Sequence, residues 1–184
     1  GTRKFLFALA DSHYIESVLI PVEDRLTLCL SSQVGCAMGC RFCATAQMRP
    51  VRDLTTAEIL GQIWEVQQTL PVGQKLTNLV FMGMGEALAN YDHVVNALGV
   101  ITADWGLNFS PRRVTVSTVG LVPQMHRLLL ETNVNLTVSL TATTNELRSS
   151  LMPINRRFPL EQLLATCRTL PLSPRKRVSF AYTM

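Results

Sequence analysis

Five runs of strand-forming residues alternate with helical patterns from Leu26 onward, and that alternation leaves few folds open. The runs are Leu26–Ser31, Asn78–Met82, Arg113–Ser117, Asn135–Leu140 and Arg177–Tyr182. Thr55-Thr56-Ala57-Glu58 is a capping-box start for a helix with Ile59, Leu60, Ile63, Val66 and Leu70 at amphipathic spacing. A second helix passes through Val94, Val95, Ala97 and Leu98, a third spans Val122–Glu131 and a fourth Leu160–Leu170. Strands joined through helices run parallel, with right-handed crossovers. Leu79–Met82 is continuously apolar up to Gly83, as a strand covered on both faces requires. The predicted fold class is α/β, a partial (β/α) barrel of TIM-like type, whose chemistry gathers at the C-terminal ends of the strands.

Ahead of the alternation, Lys4–Ala10 and Tyr14–Pro21 flank Asp11-Ser12-His13, the pattern of a β-hairpin. The chain therefore divides into an N-terminal hairpin extension, 1–22, and a barrel core, 23–184, with no Pro/Gly linker inside the core. A barrel expects further elements after its fifth strand, so the chain reads as truncated there. A parallel edge left open is a liability that a longer protein or a partner would cover.

Composition narrows the class. A 184-residue chain that is 47% hydrophobic can bury one core and is not a disordered segment. No apolar run reaches the ~18 residues of a membrane span, and no membrane association is expected. The opening Gly1–Ala10 mimics a signal peptide, but its apolar stretch is too short and lacks a cleavage context. The net charge of +4 admits a polyanionic partner. The clusters Arg112-Arg113, Arg156-Arg157 and Arg175-Lys176-Arg177 are either solvated loop charge or, gathered at one end of a barrel, a phosphate-binding rim.

Cys36, Cys40 and Cys43 follow the first barrel strand in a CxxxCxxC spacing. Three thiolates on one loop can hold three irons of a [4Fe–4S] cluster, which normally takes four cysteines. The open iron then accepts a small molecule, and in radical chemistry that molecule is S-adenosylmethionine. Structural zinc would want four ligands, and neither Cys29 nor Cys167 belongs to a second pair. An odd count of five cysteines without a secretion signal argues against a disulfide framework and for a reducing cytoplasm.

Other candidates cluster at strand ends. Gly83-Met84-Gly85-Glu86 follows the second barrel strand, and its glycines would let backbone approach a ligand closely. Glu86 would accept from the ammonium of S-adenosylmethionine. The topology predicts one rim shared by the cysteine loop, this tetrapeptide, Ser117 and Ser139. Met38, Met82 and Met84 read as packing, and Cys167, among Leu163, Leu164 and Leu170, as core. Cys29 is either a small buried hydrophobe or a thiol facing the barrel interior, available as a base or nucleophile.

Residues 16–48, Gly83–Glu86, Val116-Ser117-Thr118 and Met152-Pro153-Ile154-Asn155 together closely resemble the radical-SAM adenine-C2 methyltransferases of ribosomal and transfer RNA. The resemblance implies a cluster on Cys36, Cys40 and Cys43. It implies S-adenosylmethionine contacts at Phe42, Gly85, Glu86, Ser117, Ser139, Leu140 and Thr141. Glu16 matches the family's proton acceptor and Cys29 one of its two catalytic cysteines. The implied partners are ribosomal RNA, transfer RNA or both, with an electron donor for the cluster, and the expected state is a cytoplasmic monomer. The family's methyl-carrying cysteine near the C-terminus and its N-terminal helical domain have no counterpart here. Thr141 stands where the family usually has His, and Ala87 where it usually has Pro. Two alternatives stay open: a radical-SAM enzyme of another reaction type, and a non-catalytic RNA-binding fragment with a residual iron–sulfur site.

Overall fold

A computed structural model describes residues 1–174 and 176–183. Arg175, of the third basic cluster, and Met184, just past the expected last strand, lie outside the described residues.

β1 (Arg3–Ala8) and β2 (Tyr14–Val22) form the expected antiparallel hairpin. β2 then turns directly into β3 (Arg25–Cys29) and pairs with it antiparallel. After β3 the chain makes a short ribbon from β4 (Gln33–Val34) and β5 (Arg52–Asp53), which enclose the cysteine loop. The parallel part of the sheet continues with β6 (Asn78–Phe81), β7 (Val114–Thr118), β8 (Asn135–Ser139) and β9 (Ser179–Ala181). The spatial order is β1-β2-β3-β6-β7-β8-β9, so hairpin and parallel strands share one sheet.

The crossover helices are α1 (Thr56–Gln68), α2 (Tyr91–Thr102), α3 (Val122–Glu131), α4 (Asn145–Leu151) and α5 (Leu160–Thr169). The capping box at α1 is complete: Thr55 accepts from the Glu58 amide, and the Glu58 side chain accepts from the Thr55 amide. The sequence reading missed α4. It is short, opens on a Thr144 cap and has no long apolar stripe, so tertiary contacts rather than periodicity hold it.

The pleat divides the sheet's residues between two faces. Leu28, Leu79, Phe81, Val114, Val116, Leu136 and Val138 point under the helices, none more than 3% exposed. Opposed residues in a ladder share a face. The pairings Val18–Cys29, Cys29–Val80, Val80–Thr115 and Ser117–Thr137 therefore put Cys29, Ser117 and Thr137 on the face turned away from the helices. Glu16, two residues before Val18, lies on that face too, as does Ser139, two residues after Thr137.

Arg52 ties the hairpin to α1. It donates to Asp11 Oδ2 at 2.6 Å and to the two carboxylate oxygens of Glu58 at 2.9 and 2.7 Å. The guanidinium holds both carboxyls below the usual carboxylate range. Depressed carboxyl values stabilise the fold above the unfolded titration range, and that stabilisation is lost as pH falls through it. Arg52→Ala is expected to lower the urea midpoint at pH 7, with the gap to wild type closing as pH falls below about 4. A gap independent of pH would refute the ion-pair account.

Candidate functional site

Two loops meet above the parallel strands, and buried hydrogen bonds lock them together. Ser31, fully buried at the root of the cysteine loop, accepts from the Met84 amide at 2.8 Å and donates to the Glu16 carbonyl at 2.5 Å. Gln62 of α1 clasps the Ser31 backbone on both sides, accepting from its amide at 2.9 Å and donating to its carbonyl at 3.0 Å. The amides of Ser32 and Gln33 both donate to the Met84 carbonyl, at 2.8 and 3.2 Å. Asn90 bridges the carbonyls of Ser32 and Leu54 at 2.8 and 2.7 Å. These contacts leave no room beside Gly85, which has φ +97°: a Cβ there would sit 2.6 Å from Gln33 Cβ and 2.7 Å from Gln33 N.

Cys36 and Cys40 are buried and Cys43 is half-buried, and all five cysteines are free thiols. The three loop cysteines line one cavity of about 270 Å³, which Phe42, Gly85, Glu86, Ser117 and Ser139 also line. Four residues predicted from other parts of the sequence thus meet the cysteine loop, Phe42 included in it, at one place. Among the described residues no three His, Cys, Asp or Glu side chains converge on a single metal ion; the thiols surround a space instead.

The electrostatics of that space bear on what can fill it. Burial pushes the Cys36 and Cys40 thiols up, Cys40 to about 11, and the neighbouring thiols and Glu86 push in the same direction. Crowded buried thiolates need a concentrated positive charge beside them, and iron supplies it. The donor set fits an iron–sulfur cluster with three protein ligands.

Glu86 is only 3% exposed. Its Oε1 accepts from the Leu88 amide at 3.0 Å and its Oε2 from the Val119 amide at 2.8 Å. Burial raises its pKa, and these donors oppose the shift. The carboxylate thus joins the loop after β6 to the loop after β7, with its remaining acceptor capacity beside the cavity.

The other predicted residues sit around this centre. Leu140 and Thr141 are not in the cavity lining; their amides donate to the Ala181 carbonyl at 2.9 and 3.3 Å, extending the β8–β9 pairing. Thr141 adopts φ 62°, a left-handed conformation. Glu16 lies outside the cavity lining and pairs with Lys4 Nζ at 2.8 Å. Cys29 is buried at the end of β3, and burial raises its thiol pKa. It faces Val18 directly, so Glu16 is its diagonal neighbour across the ladder. Cys167 packs against the hydrophobic core, as expected.

The basic clusters do not share one end of the sheet. Arg112 and Arg113 lie in the turn immediately before β7, and Lys176 and Arg177 shortly before β9. Residues preceding parallel strands sit at the N-terminal mouth of a barrel, opposite the cysteine loop. Arg156 ends a turn after α4, whose Leu151 carbonyl accepts from the Arg41 amide of the cysteine loop at 2.9 Å. Only Arg156 and Arg157 therefore lie towards the cavity end.

Gly83 lines the cavity with the rest of its tetrapeptide, Thr118 and Val119 line it without having been singled out for it, and Arg148 beneath it was missed altogether. The run Ser117-Thr118-Val119-Gly120 carried a usable signal, since Thr118 Oγ1 caps the amides of Gly120 and Leu121. For Arg148 no local signal exists, because arginine in a short helix reads as surface.

Residues 30–181 match the Radical SAM superfamily. The whole chain is 58% identical to the dual-specificity RNA methyltransferase RlmN of Desulfosudis oleivorans, covering 50% of that protein. It is 57% identical to the protein of the same name from Geobacter sulfurreducens, again over the whole chain and 50% of the relative. The crystal structure of a radical SAM methyltransferase from Sphaerobacter thermophilus matches with a TM-score of 0.94 at 45% identity, over 98% of this chain and 54% of that one. The chain thus spans about half the length of the curated relatives it matches. Among the described residues no helix is long and apolar enough to cross a membrane. The family brings a [4Fe–4S] cluster and S-adenosylmethionine as cofactors. The extent of the match, from the end of β3 to β9, makes the chain a member of the radical SAM superfamily.

Proposed function

We propose that this chain is the catalytic core of an RNA methyltransferase acting on C2 of adenine in ribosomal RNA, transfer RNA or both. The observation that carries the reading is identity of 58% to an RNA methyltransferase along the whole of this chain, cysteine loop and cavity included.

In this reading Cys36, Cys40 and Cys43 hold the cluster, and Gly85, Glu86, Ser117 and Ser139 surround S-adenosylmethionine. When bound, these cofactors supply one-electron hydrogen-abstraction chemistry. The protein's own contribution is placement. Ser31, Gln62 and Asn90 fix the root of the cysteine loop against Met84, so the two loops move as one body. Glu86 holds the Leu88 and Val119 amides and keeps the cavity wall in register. Glu16 accepts the proton that leaves adenine, with Lys4 steadying its carboxylate. Cys29 stays a protonated thiol at neutral pH because burial disfavours its thiolate. A cytoplasmic monomer served by a separate electron donor completes the reading.

Anaerobic reconstitution with iron and sulfide is expected to load about four irons per chain, and S-adenosylmethionine is expected to change the EPR signal of the reduced cluster. Stoichiometric zinc with no iron uptake would overturn the cofactor assignment. Because this chain has no counterpart of the methyl-carrying cysteine, the substrate is tested with a longer protein that joins this core to such a cysteine, by digesting RNA incubated with the reduced protein and locating any new methyl group by mass spectrometry. Methylation at adenine C2 supports the reading; methylation of protein or small molecules with none on RNA would end it.

A further inference from the structure

We propose that Arg148 is a positioning residue that holds a fixed positive charge against the cysteine loop and raises the reduction potential of the cluster bound there. This rests on the reading of Cys36, Cys40 and Cys43 as cluster ligands.

Arg148 is the largest fully buried side chain, 1% exposed. Its Nε donates to the Leu140 carbonyl at 3.0 Å and its Nη1 to Asn155 Oδ1 at 3.0 Å. Its Nη2 donates to the carbonyls of Val119 at 2.7 Å and Ser139 at 3.0 Å. Every acceptor is neutral, and among the described residues no carboxylate pairs with it. Burying a charge costs several kcal/mol even after relaxation. A brace between loop carbonyls needs no charge, since a neutral amide donor would serve. The feature that calls for explanation is the unneutralised cation.

Its location supplies a use. α4, which carries Arg148, and the turn after it meet the cysteine loop: Leu151 at the end of α4 accepts from Arg41, and a Cβ on Gly39 would lie 3.5 Å from Cγ of Pro153 in that turn. The Val119 and Ser139 carbonyls that Arg148 Nη2 holds belong to residues lining the same cavity as Cys36, Cys40 and Cys43. The Glu86 carboxylate lines that cavity as well. The two charges are held through one residue, Glu86 on the Val119 amide and Arg148 on the Val119 carbonyl. Reduction adds an electron to a cluster, and a buried, salt-unscreened cation favours the reduced form. Arginine suits the task because it stays protonated at any working pH, and its planar fork reaches several carbonyls at once.

The test is an EPR-monitored redox titration of the reconstituted 184-residue chain. Arg148→Gln removes the charge while keeping amide donors, and Arg148→Lys keeps the charge while losing the fork. Asn155→Asp leaves Arg148 in place and sets a carboxylate against it, which covers the case in which the Arg148 variants do not fold. The expected result is a reduced-to-oxidised ratio about tenfold lower at fixed potential in Arg148→Gln and in Asn155→Asp, equal to about 59 mV for one electron. Arg148→Lys is expected to stay within about twofold of wild type. Equal ratios in wild type, Arg148→Gln and Asn155→Asp, all carrying iron, would overturn the proposal and leave the cluster reading intact. So would Arg148→Lys falling as far as Arg148→Gln, which would make the residue a brace only. Failure of the wild type itself to take up iron would strike the cluster reading instead.

Discussion

Cys40→Ala is expected to emerge from anaerobic reconstitution without a cluster, its iron falling from about four per chain to background. Cys40 is the middle thiol of the loop, and burial, its neighbouring thiols and Glu86 oppose its ionisation, so it needs metal to become a ligand. Removing it leaves Cys36 and Cys43 as a pair, too few thiolates to hold a cubane. The fold should survive, because a buried sulfur replaced by hydrogen is a small excision costing on the order of 1 kcal/mol. Iron assay beside circular dichroism separates the two effects. Cys29→Ala and Cys167→Ala serve as controls and should load iron like wild type, since Cys29 ends β3 and Cys167 packs into the core. Full iron in Cys40→Ala, or loss of iron in Cys167→Ala, would contradict the ligand set.

The sequence announced the fold wherever a residue's local pattern and its tertiary role agree. Leu79–Phe81 stands out as an apolar run although only its helix side is fully buried and Val80 on the other face is half-buried, short of the cover on both faces that was expected, and the observed strand ends within a residue of the expected one. Thr55 and Glu58 satisfy each other within one helical turn, which makes the capping box legible without any structure. The shared cavity was legible for the same reason, because a parallel sheet sends all its strand ends to one side. Where pattern and role diverge, reading failed. α4 is held by Arg148 and Asn155 contacts that link distant segments, and no periodicity records them. β4 and β5 are too short to carry alternation, yet they close the base of the cysteine loop. The basic clusters left two readings open for a different reason: charge pattern says nothing about which end of a strand it flanks, and Arg112 and Arg113 precede β7 rather than follow it. Glu86 lines the cavity where the strand-end reading put it, but the two backbone amides it also accepts from carry no local signal.

Gly85→Ala should separate cofactor binding from cluster binding. At φ +97° an L-residue carries about 1–2 kcal/mol of strain, and overpacking against Gln33 adds about 1–3 kcal/mol. Gln33 cannot yield cheaply, since its amide donates to the Met84 carbonyl and its side-chain oxygen accepts from the Glu86 amide at 2.8 Å. Relief must come from the loop after β6 pulling away from the cysteine loop, which widens the cavity wall formed by Gly85 and Glu86. The cysteines do not depend on that wall for their thiols, so iron loading should stay near wild type while the EPR response to S-adenosylmethionine is lost. In a titration the affinity should fall at least tenfold, about 1.4 kcal/mol, because backbone that must approach the ligand has been displaced by about the width of a methyl group. Wild-type affinity in Gly85→Ala would remove this loop from the cofactor site. Loss of iron together with affinity would instead make the loop a support for the cluster, and Gly85 a residue of the fold rather than of the ligand pocket.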